Sequence, residues 1–187
     1  LKLMKNRIVI VLSLIGIISF TSCNKKKQDF DIVYEVEFIS NWSQGTHPTD
    51  FPSNAHMSPI IGISHTSGYH HYLSGDISTS GVKQMAETGM TSTIESEFNS
   101  LKNSGMALDI IKGESFDSPG TSEKAYIGVD EEHSDVTIMS MVAPSPDWFV
   151  GIKTSLKDGS GSWVENLCVR VITYDAGTDD GVTFTSN

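Results

Sequence analysis

The sequence predicts an all-β protein, an antiparallel eight-stranded β-sandwich with one helical insertion around residues 80–101. Three observations carry this reading. Eight short runs rich in branched and aromatic residues recur along the chain. Turn-forming clusters such as ESFDSPGTSE, APSPD and KDGSGS separate the later ones. One stretch alone spaces its apolar residues for a helix. Many short strands with frequent turn signals favour two packed antiparallel sheets.

The first run, DIVYEVEFIS, alternates: Ile32, Tyr34, Val36 and Phe38 share one parity, Val33, Glu35 and Glu37 the other. Period two with one oily face is a half-buried strand. Residues 41–58 contain Gly45, Pro48 and Pro52 and read as a long loop. PIIGISHT is the second strand. Residues 80–101 place Val82, Met85, Ala86, Met90, Ile94, Phe98 and Leu101 at steps of three, four and five. That is a helical stripe, weakened at Gly89, so the expectation is one helix in two pieces with Ser80 as its cap. Its polar face carries Glu87, Glu95 and Glu97 rather than lysines, which suits a helix packed on a sandwich better than one lying on a membrane. The remaining runs are MALDIIKG, KAYIGVD, SDVTIMSMVA, WFVGIKTSL, WVENLCVRVITY and VTFTS.

The first residues carry a different signal. Lys2, Lys5 and Arg7 precede IVIVLSLIGIISF, an uncharged run of thirteen residues. A membrane span needs about 20 apolar residues, so this reads as a signal-peptide core. The run ends in FTSC, which resembles a bacterial lipobox with Phe20 where Leu is usual. The expectation is a signal peptide over residues 1–22, an acylated Cys23, a tether over 23–31 and one domain over 32–187. A bacterial cell-envelope location follows, with the protein lipid-anchored to the membrane on its periplasmic or cell-surface side. The chain carries a net charge of −10; without the three basic residues of the signal it becomes −13. Such a balance excludes nucleic acid as a partner. It also excludes attachment to anionic lipid through basic residues, unless a divalent cation bridges the two. Cys168 lies in an apolar run and reads as a small buried hydrophobe; no disulfide framework or zinc-type cysteine pair exists.

Two acidic stretches point to a hard cation. In VAPSPDWFVGI, two prolines stiffen a turn and Asp147 follows at the start of a strand. In DAGTDDG, Asp175, Asp179 and Asp180 crowd one turn. A bare turn needs one Asp and one Gly, and like charges this close repel. Calcium takes six to eight oxygen ligands from carboxylates, carbonyls and water. A sandwich gathers distant loops at one end, where Asp147, Asp175 and Asp179 supply such donors and Gly177 permits a sharp turn. The pattern is not an EF-hand: counted from Asp175, position three is Gly177, position six is Asp180 and position twelve is Ser186. The six histidines, His47, His56, His65, His70, His71 and His133, show neither a two-His helical spacing nor a nearby general base, and read as structural. Trp42, Trp148 and Trp163 read as core or loop anchors.

Four separated blocks, NWSQGTHPTDFPSNAHMSPIIGISH, SGVKQMAETG, PSPDWFVGI and YDAGTDDGVTF, closely resemble the spondin N-terminal domain and occur in that family's order. The resemblance runs from about residue 33 to 184. It implies a sandwich similar to calcium-dependent lipid-binding domains, with calcium held by loops at one end. It implies a binding and adhesion role with no catalysis, toward an unknown protein, glycan or lipid ligand. Carried over by position, Asp147, Asp175 and Asp179 are the metal candidates, with Asp180 and Glu165 as possible additions. The rival readings are a metal-dependent hydrolase built on the histidines and a structural envelope component without metal.

Overall fold

The computed structural model describes residues 29–186. The expected signal peptide, the lipidated Cys23 and most of the tether lie outside the described residues.

The elements run in order β1 (Ile32–Val36), β2 (Ile39–Ser40), β3 (His56–Met57), β4 (Ile61–His65), α1 (Ser80–Thr88), α2 (Ser92–Asn103), β5 (Ala107–Lys112), β6 (Phe116–Asp117), β7 (Gly120–Thr121), β8 (Ala125–Val129), β9 (Asp135–Ala143), β10 (Trp148–Ser155) and β11 (Ile172–Asp175). All strand pairing is antiparallel. The main sheet runs β11–β10–β9, and β9 is then flanked by β4 over its first half and β3 over its second. β4 pairs on to β5, and β3 on to β6. β1 and β8 form a second, two-stranded sheet, and β2 and β7 a third. The architecture is the expected sandwich with a helical insertion, built from strand segments that include four of only two residues.

β9 explains the layering. Every one of its residues is buried, because both of its faces are covered. Val136, Ile138 and Val142 point into one core, with Ile127 and Val129 of β8, Val150 of β10 and the alternating residues Ile32, Tyr34 and Val36 of β1. Met139, Met141 and Ala143 point the other way, into a second core with Ile61, Ile63 and Phe149. The two helices close that second face with Val82, Met85, Ala86, Ile94 and Phe98, all fully buried. Burying a side chain of this size stabilises by about 1.5–3 kcal/mol, so the helical stripe is a third layer of the fold. β1 shows the alternation the sequence predicts: its inward parity is half-buried and Val33 and Glu35 are exposed.

The helical insertion breaks where expected. Gly89 ends α1 in the left-handed region, φ 72°, and its N–H donates to Met85 O at 2.9 Å. Met90 falls in this break and is half exposed rather than on the core stripe. The cap is Thr79, not Ser80: its hydroxyl accepts from Val82 N at 3.1 Å while its backbone is extended. Glu97 of α2 reaches across and accepts from Gly81 N at 2.7 Å and from the Thr79 hydroxyl at 2.8 Å, so one helix closes the start of the other.

Two expected strands differ. Of WVENLCVRVITY only the last three residues join a sheet, in β11; Leu167, Cys168, Val169 and Arg170 are exposed. Cys168 is therefore not a buried hydrophobe. The apolar composition is right for a strand, but the backbone of residues 165–171 makes no ladder, and burial follows the ladder. VTFTS is a turn that inserts a single side chain, Phe184, into the aromatic cluster described below.

Candidate functional site

The register of β10 and β11 places Trp148 opposite Asp175. The loop entering β10 and the loop leaving β11 therefore stand side by side. At the first, the Ser145 hydroxyl accepts from Trp148 N at 3.0 Å and folds the Pro144–Pro146 turn back on itself. This turn drives Asp147 inward, where it is completely buried.

Asp147 organises the second loop. Its Oδ2 accepts from Thr178 N at 2.7 Å, from Asp179 N at 3.1 Å and from the Thr178 hydroxyl at 3.3 Å. Its carbonyl accepts from Ala176 N at 3.1 Å. Gly177, at φ 70°, supplies the left-handed bend that aims these N–H groups at one oxygen. The other carboxylate oxygen, Oδ1, is buried and has no hydrogen-bond partner. Leaving such an acceptor unmatched costs roughly 1–3 kcal/mol, and more when it is charged.

The remaining acids play different parts. Asp175 Oδ1 accepts from Gly177 N at 2.8 Å, and Asp179 Oδ1 from Gly181 N at 2.7 Å, each closing a small turn. Asp175, Asp179 and Asp180 are exposed. Among the described residues no three His, Cys, Asp or Glu side chains converge closely enough to hold a metal by themselves. The structure thus brings Asp147 against the backbone of Asp179 and sets Asp175 beside it, with their carboxylates fanned outward. Glu165 lies apart, on the rim of a cavity between the sheets.

Three residues that sequence reasoning missed hold this end together. Thr178 gives Asp147 both a backbone and a side-chain donor. Ser78 donates to Ala176 O at 2.8 Å and ties the loop before α1 to the acidic loop. Phe184 packs between Trp42 and Trp148, with ring centroids 4.9 and 5.1 Å away, and Trp42 in turn meets Phe51 at 5.2 Å. The tryptophans at 42 and 148 are loop anchors, as expected. For Thr178 a signal existed, since it closes the DAGT motif; for Ser78 and Phe184 none did.

The histidines are engaged in local contacts, and His65 and His71 share a neighbour, the Tyr69 ring. His65 donates from Nδ1 to Thr66 O at 2.9 Å, so its Nε2 accepts from the Thr137 hydroxyl at 2.8 Å. His133 bonds Asp130 and Gly105 O. His56 bonds Asn54 O. His71 is buried against Phe98, with its Nδ1 2.7 Å from the Tyr69 hydroxyl. Its Nε2 lies 3.3 Å from Glu97 Oε2, in ion-pair range but outside hydrogen-bond geometry. Burial pushes its pKa down to about 4, so the ring is neutral near pH 7.

Comparison with known proteins identifies the family. The Spondin_N family model matches residues 32–187. Spondin-1 of Gallus gallus and of Homo sapiens are each 36% identical over 162 residues, covering 82% of this chain and 20% of theirs. Spondin-2 of Homo sapiens is 33% identical over 162 residues, covering 82% of this chain and 47% of its own. The chain thus spans about a fifth of spondin-1 and just under half of spondin-2. With a family match across nearly every described residue, and with the fold those residues build, the chain belongs to the spondin N-terminal domain family.

Proposed function

We propose that this domain is a calcium-organised binding module of the cell envelope, lipid-anchored through Cys23, that holds a protein, glycan or lipid ligand rather than transforming a substrate. One observation carries the calcium reading: a completely buried aspartate, Asp147, with one oxygen fixed by the acidic loop and the other without a partner. A native protein seldom leaves a buried carboxylate oxygen unmatched. A hard dication on Oδ1 offsets that cost and relieves the repulsion among Asp147, Asp175 and Asp179. The donors are Asp147 Oδ1, the second carboxylate oxygens of Asp175 and Asp179, and carbonyls of residues 175–181, with Asp180 as a further candidate at the edge. These are oxygen ligands only, which suits calcium and not a transition metal. The role of this chain's own residues is to hold the loop: Thr178 and Gly177 fix its bend, and Phe184 pins its far side.

The test is the melting temperature of the protein in EDTA and in millimolar calcium. A native-state ligand at a hundredfold excess over Kd stabilises by about 2.7 kcal/mol, several degrees for a domain of this size. The expected result is a clear rise that disappears in Asp147→Asn. An unchanged melting temperature, with no calcium found by elemental measurement of the untreated protein, overturns the calcium reading.

A further inference from the structure

Between β10 and the β1 strand the sandwich holds a cavity of about 800 Å³. Its floor is aliphatic: Val36, Ile127, Val136, Ile138, Ile152 and Leu156. Its mouth is crossed by residues 165–171, ENLCVRV.

Three independent features of that segment stand together. First, its backbone takes part in no backbone hydrogen bond among the described residues, although Val164 just before it donates to Leu156 O at 2.9 Å and β11 just after it is fully paired. Second, β11 covers only Trp148–Gly151 of β10, so the same edge of β10 from Ile152 to Ser155 has no partner strand. Third, the segment alternates: Leu167, Val169 and Val171 share one parity and Asn166, Cys168 and Arg170 the other. Leu167 and Val169 are 47% and 42% exposed, while Val171 already packs on the core.

The register of β11 says where the segment belongs. Gly151 faces Ile172. Continued without a shift, Ile152 faces Val171, Thr154 faces Val169 and Leu156 faces Leu167. Residues opposite one another in an antiparallel pair share a face. Ile152 and Leu156 lie on the core face, with Val150. The same docking therefore swings Leu167 and Val169 from solvent into the mouth of the cavity and puts Cys168 beside Ser155, outside. Lys157 is already bridged to Trp163, so the ladder ends at Leu156, and the polar residues Glu165 and Asn166 form a bulge.

We propose that the open edge of β10 with its cavity is a strand-docking surface whose occupant is the chain's own segment 167–171, and that the conformation described here is the undocked state of this strap. One term opposes docking: Lys153 and Arg170 come directly opposite each other, and like charges across a ladder repel. Asp135, 3.7 Å from the Lys153 ammonium, offsets part of it.

Cys168 makes the test direct, since it is the only cysteine among the described residues. In the full chain carrying Cys23→Ser, Ser155→Cys places a second thiol on an exposed position opposite it. Mild oxidation should form the 155–168 disulfide at least about tenfold faster than a 160–168 disulfide in a Ser160→Cys control, although that loop is shorter. Adding Arg170→Ala should speed it about twofold or more. In the unsubstituted chain, amide exchange at 167–171 should be slower than in an unstructured peptide. Equal rates for the two disulfides, or exchange at the unstructured rate throughout 167–171, overturns the proposal.

Discussion

Two loops flank β11, and they are opposites. Residues 165–171 are mostly apolar and strand-like, yet nothing holds their backbone. Residues 175–181 are acidic and glycine-containing, yet nearly each turn of the backbone is tied: to Asp147, to Asp175, to Asp179 and to Ser78. Composition alone ranks them the wrong way round. What fixes a segment is whether its N–H and C=O groups find partners, and one buried carboxylate can supply more order than two exposed aliphatic side chains.

The contrast can be broken most severely at Asp147. Asp147→Ala strips two backbone donors and one hydroxyl of their acceptor, and is expected to cost about 3 kcal/mol. In denaturant unfolding this is a lower midpoint, with amide protection lost at 178 and 179 and retained in β9. Protection that survives there means the glycine bend holds the loop unaided.

A second buried polar group sharpens the same rule. Burial pushes the folded pKa of His71 down to about 4, below its ordinary value near 6.5. The unfolded chain therefore takes up the proton first. Its contribution is full above about pH 6.5 and is lost as pH falls toward 4, on the order of 2–3 kcal/mol. His71→Phe should flatten that window in a pH series of urea midpoints. An unchanged slope in the variant assigns the loss to the carboxylates instead.

Smaller effects follow at the bend and the strap. Gly177→Ala forces a side chain into the left-handed region at φ 70° and should cost about 1 kcal/mol, read as a modest drop in melting temperature. Leu167→Ser replaces a half-exposed side chain and should change stability by less than about 0.5 kcal/mol while the strap is undocked. A loss well above that places the docked state in the majority.

Much of the fold was legible because it depends on local pattern. The alternation of Ile32, Tyr34 and Val36 and the break at Gly89 are both found where the sequence puts them. The cap was read one residue late, since Thr79 and Ser80 are equally suited by type and only the extended backbone at 79 decides. β9 hid its two-sidedness: with both faces covered, SDVTIMSMVA loses period two and reads merely as apolar. Cys168 was misplaced because residues 165–171 join no ladder, and an apolar run does not by itself say which of its residues face the core. At the site, Asp147 and the acidic loop could be picked out by their excess charge. The division of labour between them could not, because it rests on which carboxylate the register of β10 and β11 turns inward.

Phe184 lodges between Trp42 and Trp148, near opposite limits of the domain's sequence. A chain made from its N-terminus exposes Trp42 long before Phe184 arrives. Through most of synthesis that aromatic socket stands unfilled. Completion of this end of the sandwich is thus timed to the last stretch of the domain, and the finished arrangement exists only in molecules whose translation has passed residue 184.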